Sequence, residues 1–132
     1  MAHILVVEDD VPFGQMLVQM LRRDGHEVAV AVDGLEALRL AARIAPDLII
    51  TDILMPKMDG VETIIELTRR GSRVPVIAMS GGRRAITAEF NLNSANVLGV
   101  AATLTKPFAR ADLREAIESA LLTITASSPI TS

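Results

Sequence analysis

The sequence predicts an α/β fold: a doubly wound, five-stranded parallel sheet with helices on both faces. Three observations predict it. Short apolar runs alternate five times with segments of mostly helical periodicity, the pattern of strands joined by crossover helices. The third run, Leu48-Ile49-Ile50, is apolar without alternation, as expected of a strand covered on both sides. Glu8, Asp9, Asp52, Ser80 and Lys106 lie just past the carboxyl ends of four of the predicted strands. That carboxyl edge is where open α/β sheets carry their chemistry.

The elements justify this in order. Ile4-Leu5-Val6-Val7 is β-branched and runs into Glu8-Asp9-Asp10. Phe13, Met16, Leu17, Met20 and Leu21 share one helical face. Asp10 and Pro12 suit the start of that helix as cap and first-turn residue, and Gly25 suits its end. Residues 26–32 alternate as a second strand, and Asp33-Gly34 turns into a helix marked by Leu35, Leu38 and Ala42 and closed by Pro46. The third strand ends at Asp52, where Pro56 cannot join a ladder and Asp59-Gly60 is turn chemistry. Val61, Ile64, Ile65 and Thr68 mark the next helix, ended by Gly71. Residues 74–79 make the fourth strand, closed by Ser80-Gly81-Gly82. Residues 83–98 carry a weak helical signal through Ile86, Phe90 and Val97, diluted by Asn91, Asn93 and Asn96. Residues 101–104 form a fifth strand before the bend Lys106-Pro107-Phe108. Leu113, Ala116, Ile117, Ala120 and Leu121 line the last helix. From Thr123 the composition turns to Thr, Ser, Ala and Pro, which reads as a polar, disordered tail. One domain over residues 1–122 and a tail over 123–132 are expected; there are no repeats.

The bulk numbers narrow the function. At 132 residues, half of them hydrophobic and none of them Trp or Tyr, the core must be aliphatic. A net charge of −3 does not imply a nucleic-acid surface, and the lack of cysteine excludes disulfides and thiol chemistry. No apolar run approaches a membrane span, and Met1 leads straight into a strand-like segment, so no signal peptide is expected. A cytoplasmic location is expected.

The strand-end residues converge if the sheet is parallel. Carboxylates packed together repel and need a counter-charge. A hard divalent cation such as Mg²⁺ takes oxygen ligands and offsets them. A lysine and a hydroxyl nearby complete a phosphoryl-binding site, and an aspartate can itself be the nucleophile. Lys106 is one of two lysines among thirteen basic residues, a compact ammonium where Arg would present a planar fork. Asp10 reads better as a helix cap than as a ligand. His3 and His26 read as surface residues, and Met16 and Met20 as core filler.

The motifs Leu5-Val6-Val7-Glu8-Asp9-Asp10, Thr51-Asp52-Ile53-Leu54-Met55-Pro56 with Asp59-Gly60, Met79-Ser80-Gly81 and Lys106-Pro107-Phe108 occur together in one order. In this the chain resembles the receiver domain of response regulators, the phospho-acceptor module of two-component signalling, from Ile4 to about Leu122. The resemblance implies a flavodoxin-like sheet ordered 2-1-3-4-5. It implies that Asp52 accepts a phosphoryl group from a histidine kinase or a histidine phosphotransferase. Asp9 would bind Mg²⁺ directly, Glu8 mostly through water, and Asp52 and the Leu54 backbone carbonyl would complete the protein ligands. Ser80 would hydrogen-bond the phosphoryl oxygen and Lys106 would pair with it, switching partner binding on that side of the domain. A stand-alone regulator is expected, a relay or sink for phosphate rather than a turnover enzyme, monomeric or dimerising on phosphorylation, with no direct contact to nucleic acid or membrane.

The chain departs from the family at Thr103, where an aromatic switch residue commonly lies. Output coupling is therefore expected to run through residues 81–98, a segment longer than usual for the family. Leu54 and Gly82 stand where water access is often tuned, and neither positions a water, which favours slow loss of phosphate. Two other readings compete: a pseudo-receiver interaction module, and a Mg²⁺-dependent phosphohydrolase with an aspartyl nucleophile. The complete acidic, Ser and Lys set argues against the first. Leu54, where such a hydrolase carries an acid–base Asp, argues against the second.

Overall fold

Five strands lie side by side and parallel, in the order β2-β1-β3-β4-β5. They are β1 (His3–Val7), β2 (Glu27–Ala31), β3 (Leu48–Asp52), β4 (Val76–Ser80) and β5 (Ala102–Thr105). Among the described residues the helices are α1 (Val11–Arg23), α2 (Gly34–Ile44), α3 (Gly60–Arg69) and α4 (Arg110–Ser127). The structure is a computed structural model that describes residues 2–53, 60–80 and 100–127. The expectations for Leu54, Pro56, Asp59, Gly82 and the segment 81–98 fall outside the described residues.

The two-residue period of the strands sorts side chains between the faces. Ile4 and Val6 of β1, with Leu48 and Ile50 of β3 and Ile77 and Met79 of β4, face Leu17 and Leu21 of α1 and Leu113, Ile117 and Ala120 of α4. Leu5, Val7, Ile49 and Val76 face the other way, toward Ala37 and Leu38 of α2 and Ile64 and Leu67 of α3. A parallel strand with helices on both sides must be apolar throughout, which is why β3 is buried along its whole length. Each fully buried Leu or Ile contributes about 1.5–3 kcal/mol relative to exposure.

The local signals act as their chemistry demands. Asp10 caps α1 by accepting from the Phe13 N–H at 3.2 Å, and Asp33 caps α2 by accepting from the Glu36 N–H at 2.9 Å. Gly25 and Gly71 take φ of +88° and +87° just past α1 and α3, the left-handed stop that glycine supplies without strain. Ala45 makes the same turn after α2 at φ 46°. At the far end of α1, Asp24 receives Arg110 Nη2 from the start of α4 and so ties the two helices of that face.

Several helix faces differ from the expected ones. Leu35, Ile65 and Met16 are exposed, at 54%, 49% and 43%. The buried stripe of α2 is Gly34, Ala37 and Leu38, and that of α3 includes Thr63, Ile64 and Leu67. Apolar residues lie on more than one side of these helices, so a 3.6-residue period fits two registers and packing selects one. His26 is partly buried, and its Nδ1 accepts from the Ala2 N–H at 3.1 Å. Helix α4 continues through residues 123–127, where the polar tail was expected to begin. No Gly or Pro interrupts that stretch before Pro129.

Candidate functional site

The registers bring the site together. Val7 pairs with Thr51, so Glu8 and Asp52 follow side by side on β1 and β3. Asp52 pairs with Met79, one residue before Ser80 on β4, and Ser80 pairs with Thr105, one residue before Lys106. The Lys106 N–H donates to the Ser80 carbonyl at 2.7 Å and closes the last rung. The chain reverses its direction of travel across the sheet between β1 and β3, so the crevice lies at the topological switch point. The Lys106–Pro107 peptide is cis.

Glu8 and Asp52 are 1% and 3% exposed, whereas Asp9 is open to solvent. One carboxylate oxygen from each of the three lies within 4.8 Å of the others. Lys106, its side chain 16% exposed, supplies the counter-charge. Its Nζ donates to Asp52 Oδ2 at 2.8 Å and to Glu8 Oε1. The Asp10 N–H donates to Glu8 Oε2 at 3.1 Å, so both oxygens of Glu8 are engaged.

Burial holds the Glu8 carboxyl above the usual carboxylate range. The Lys106 and Asp10 hydrogen bonds pull it back only in part, and the Asp52 charge adds to the rise. Burial also works against the Lys106 charge, but hydrogen bonds and charge from Asp52 and Glu8 outweigh it, and the ammonium is held above the ordinary lysine value. Lys106 is therefore a fixed cation at neutral pH. Among the described residues, three carboxylates face one ammonium in the crevice, an excess of negative charge. An all-oxygen donor set with excess negative charge fits Mg²⁺ and does not suit a soft metal.

Four predicted residues, Glu8, Asp9, Asp52 and Lys106, thus come together, and Ser80 ends the strand between Asp52 and Lys106. The Leu54 carbonyl lies outside the described residues. Thr103 is exposed on edge strand β5. Sequence reasoning assigned Glu8 to the metal and not to Lys106, although the structure pairs the two. It also missed Phe13, whose ring lies under the Lys106 ammonium. The available signal was an aromatic one helical turn after Asp9 in a chain with three aromatic residues.

Fold and site together define the class: a flavodoxin-like α/β module with a lysine-closed acidic crevice at the switch point of its sheet. The chain belongs to the response regulator receiver domain family, whose model matches residues 4–118. It is 40% identical over 111 residues to the transcriptional regulatory protein PrrA of Mycobacterium tuberculosis, a match covering 84% of this chain and 46% of PrrA. It is 33% identical over 118 residues to the alkaline phosphatase synthesis transcriptional regulatory protein PhoP of Bacillus subtilis, covering 89% of this chain and 48% of PhoP. The chain therefore spans about half the length of these curated relatives. Among solved structures, a receiver domain protein from Clostridium thermocellum superposes with a TM-score of 0.82 at 29% identity, covering 96% of this chain and 98% of the other. The chemotaxis protein CheY4 of Vibrio cholerae superposes at 0.83 and 29% identity, covering 92% and 99%.

The chain is thus a receiver domain of two-component signalling, in a family of switches that interact with histidine kinases and typically bind Mg²⁺ at an acidic pocket. No helix among the described residues is long and apolar enough to cross a membrane.

Proposed function

We propose that Asp52 is the phospho-acceptor, taking a phosphoryl group from a phosphohistidine of a histidine kinase or histidine phosphotransferase in a Mg²⁺-dependent reaction. The observation that carries this is the Lys106 Nζ to Asp52 Oδ2 contact of 2.8 Å at the buried end of the central strand. An ammonium held there meets the charge that develops on the phosphoryl oxygens, in a site where little water screens it. In the transfer an Asp52 carboxylate oxygen forms the new P–O bond, the P–N bond to the donor histidine breaks, and the imidazole leaves.

Asp9, Glu8, Asp52 and the Leu54 carbonyl are the groups that would hold Mg²⁺. When bound, the ion neutralises phosphoryl oxygens and the excess carboxylate charge. Lys106 exchanges part of its contact with Asp52 for a phosphoryl oxygen, and Ser80 donates its hydroxyl to another. These movements on the Ser80 and Lys106 side alter which partner the domain binds. Within a stand-alone chain the same chemistry serves as a relay or a sink for phosphate. The module then acts as a switch and not as a turnover enzyme, working in the cytoplasm as a monomer or a phosphorylation-dependent dimer. The receiver unit comprises residues 1–122.

Intact-mass spectrometry after incubation with acetyl phosphate tests this, with and without Mg²⁺, on the wild type and Asp52→Asn. A Mg²⁺-dependent gain of one phosphoryl group, lost in the variant, is the expected result. An equal gain in Asp52→Asn would move the acceptor elsewhere. No gain from acetyl phosphate or from a phosphorylated histidine phosphotransferase would favour a pseudo-receiver.

A further inference from the structure

Lys106 has a third neighbour besides its two carboxylates. Its Nζ lies 4.3 Å from the centroid of the Phe13 ring. Phe13 sits in the first turn of α1, where its own N–H is bound by the capping carboxylate of Asp10. Phe108 meets Phe13 nearly at right angles, with centroids 5.7 Å apart and planes at 87°. The chain contains three aromatic residues in all, and two of them meet at this lysine.

We propose that Phe13 is a positioning residue for Lys106: its ring holds the ammonium against Asp52 and Glu8, and Phe108 fixes the ring. An ammonium has three donor positions, and two of them are committed to Glu8 Oε1 and Asp52 Oδ2. A cation over an aromatic face is attracted by the ring quadrupole, and more strongly where water is excluded. The ring offers no strong acceptor, so it cannot draw the ammonium off the carboxylates as a polar side chain would. Its broad face also lets Nζ slide from a carboxylate toward a phosphoryl oxygen with no directional bond to break. An aliphatic side chain of similar size would fill the space without the attraction. The kinetic consequence rests on the phospho-acceptor reading. The positioning is a property of the resting protein and can be read without any phosphoryl transfer.

The first readout is the NMR signal of the lysine ε-methylene protons. Lys57 and Lys106 are the two lysines, so the spectrum contains its own reference. The Lys106 signal should lie upfield of Lys57 through the Phe13 ring current, stay there in Phe13→Tyr and return in Phe13→Leu. The second readout is the initial rate of phosphorylation by acetyl phosphate in Mg²⁺. Phe13→Leu should be slower by about five- to tenfold, the equivalent of one lost cation–π contact, and Phe13→Tyr should restore most of that loss. Coincident Lys106 and Lys57 signals in the wild type would overturn the proposal, and this needs no variant to fold. So would a folded Phe13→Leu that keeps both shift and rate, or a Phe13→Tyr that loses both. A wild type that takes up no phosphoryl group yet shows the upfield signal, lost in Phe13→Leu, would refute the phospho-acceptor reading and support the positioning.

Discussion

Replacing Lys106 by Met tests whether the crevice is held together by charge. Methionine keeps an unbranched chain against Phe13 and removes the ammonium. Glu8 and Asp52, 1% and 3% exposed, would then face each other and Asp9 without the Lys106 charge. Two charge-assisted hydrogen bonds disappear, each worth about 1.5–3 kcal/mol. Asp9 is open to solvent and Glu8 can take up a proton, so roughly half of that sum is expected, about 2 kcal/mol. With an unfolding entropy near 2.1 cal/mol/K per residue, a chain of 132 residues should lose about 7 °C in Tm. Calorimetry at pH 7 in a chelator measures this. Adding Asp52→Asn should recover about half the loss, because one of the uncompensated charges is gone. Mg²⁺ should raise the Tm of Lys106→Met more than that of the wild type. A drop smaller than about 3 °C, or losses that simply add in the double variant, would refute the reasoning.

Two further perturbations probe the scaffold. His26 accepts the Ala2 N–H on Nδ1, and burial holds its pKa below the ordinary histidine value of 6.5. A depressed folded pKa means the stabilisation is present above 6.5 and is lost as pH falls toward the folded value. Urea midpoints between pH 7.5 and 5 should therefore fall more steeply for the wild type than for His26→Gln, and parallel profiles would contradict this. Ala45→Gly should stabilise by about 0.5–1 kcal/mol, because φ of 46° strains a Cβ. Gly71→Ala, at φ +87°, should cost about 1 kcal/mol although nothing lies within 4 Å of the added carbon. Denaturant midpoints of the two should move in opposite directions.

Much of this domain is written locally. All five strands stand where apolar runs and alternation predicted them, with ends displaced by one or two residues. The Asp10 cap and the Gly25 and Gly71 stops were legible because each depends on a residue's own backbone and its near neighbours. Asp52 and Lys106 were legible for a related reason: a charged residue at the carboxyl end of a buried strand falls at the crevice edge of the sheet, where a partner charge can meet it. The faces of α2 and α3 were less so, because Leu35 and Ile65 fit a helical period as well as the residues that are buried.

Among the described residues, what the sequence by itself determined is the set of elements, their order along the chain and the residues placed at the carboxyl ends of the strands. Periodicity, caps and turn residues act over a few positions and need no knowledge of the rest. The tertiary structure decided which strands are neighbours, and therefore which of those residues meet. Placing β1 between β2 and β3 puts Glu8 beside Asp52. The same order lets Lys106 reach back across β4 and β3 to a carboxylate 98 positions earlier. It also sets the first turn of α1 beneath that lysine, so that Phe13 faces its charge. Such contacts are made only when the crossovers close and both sheet faces are buried, and no local pattern carries that information.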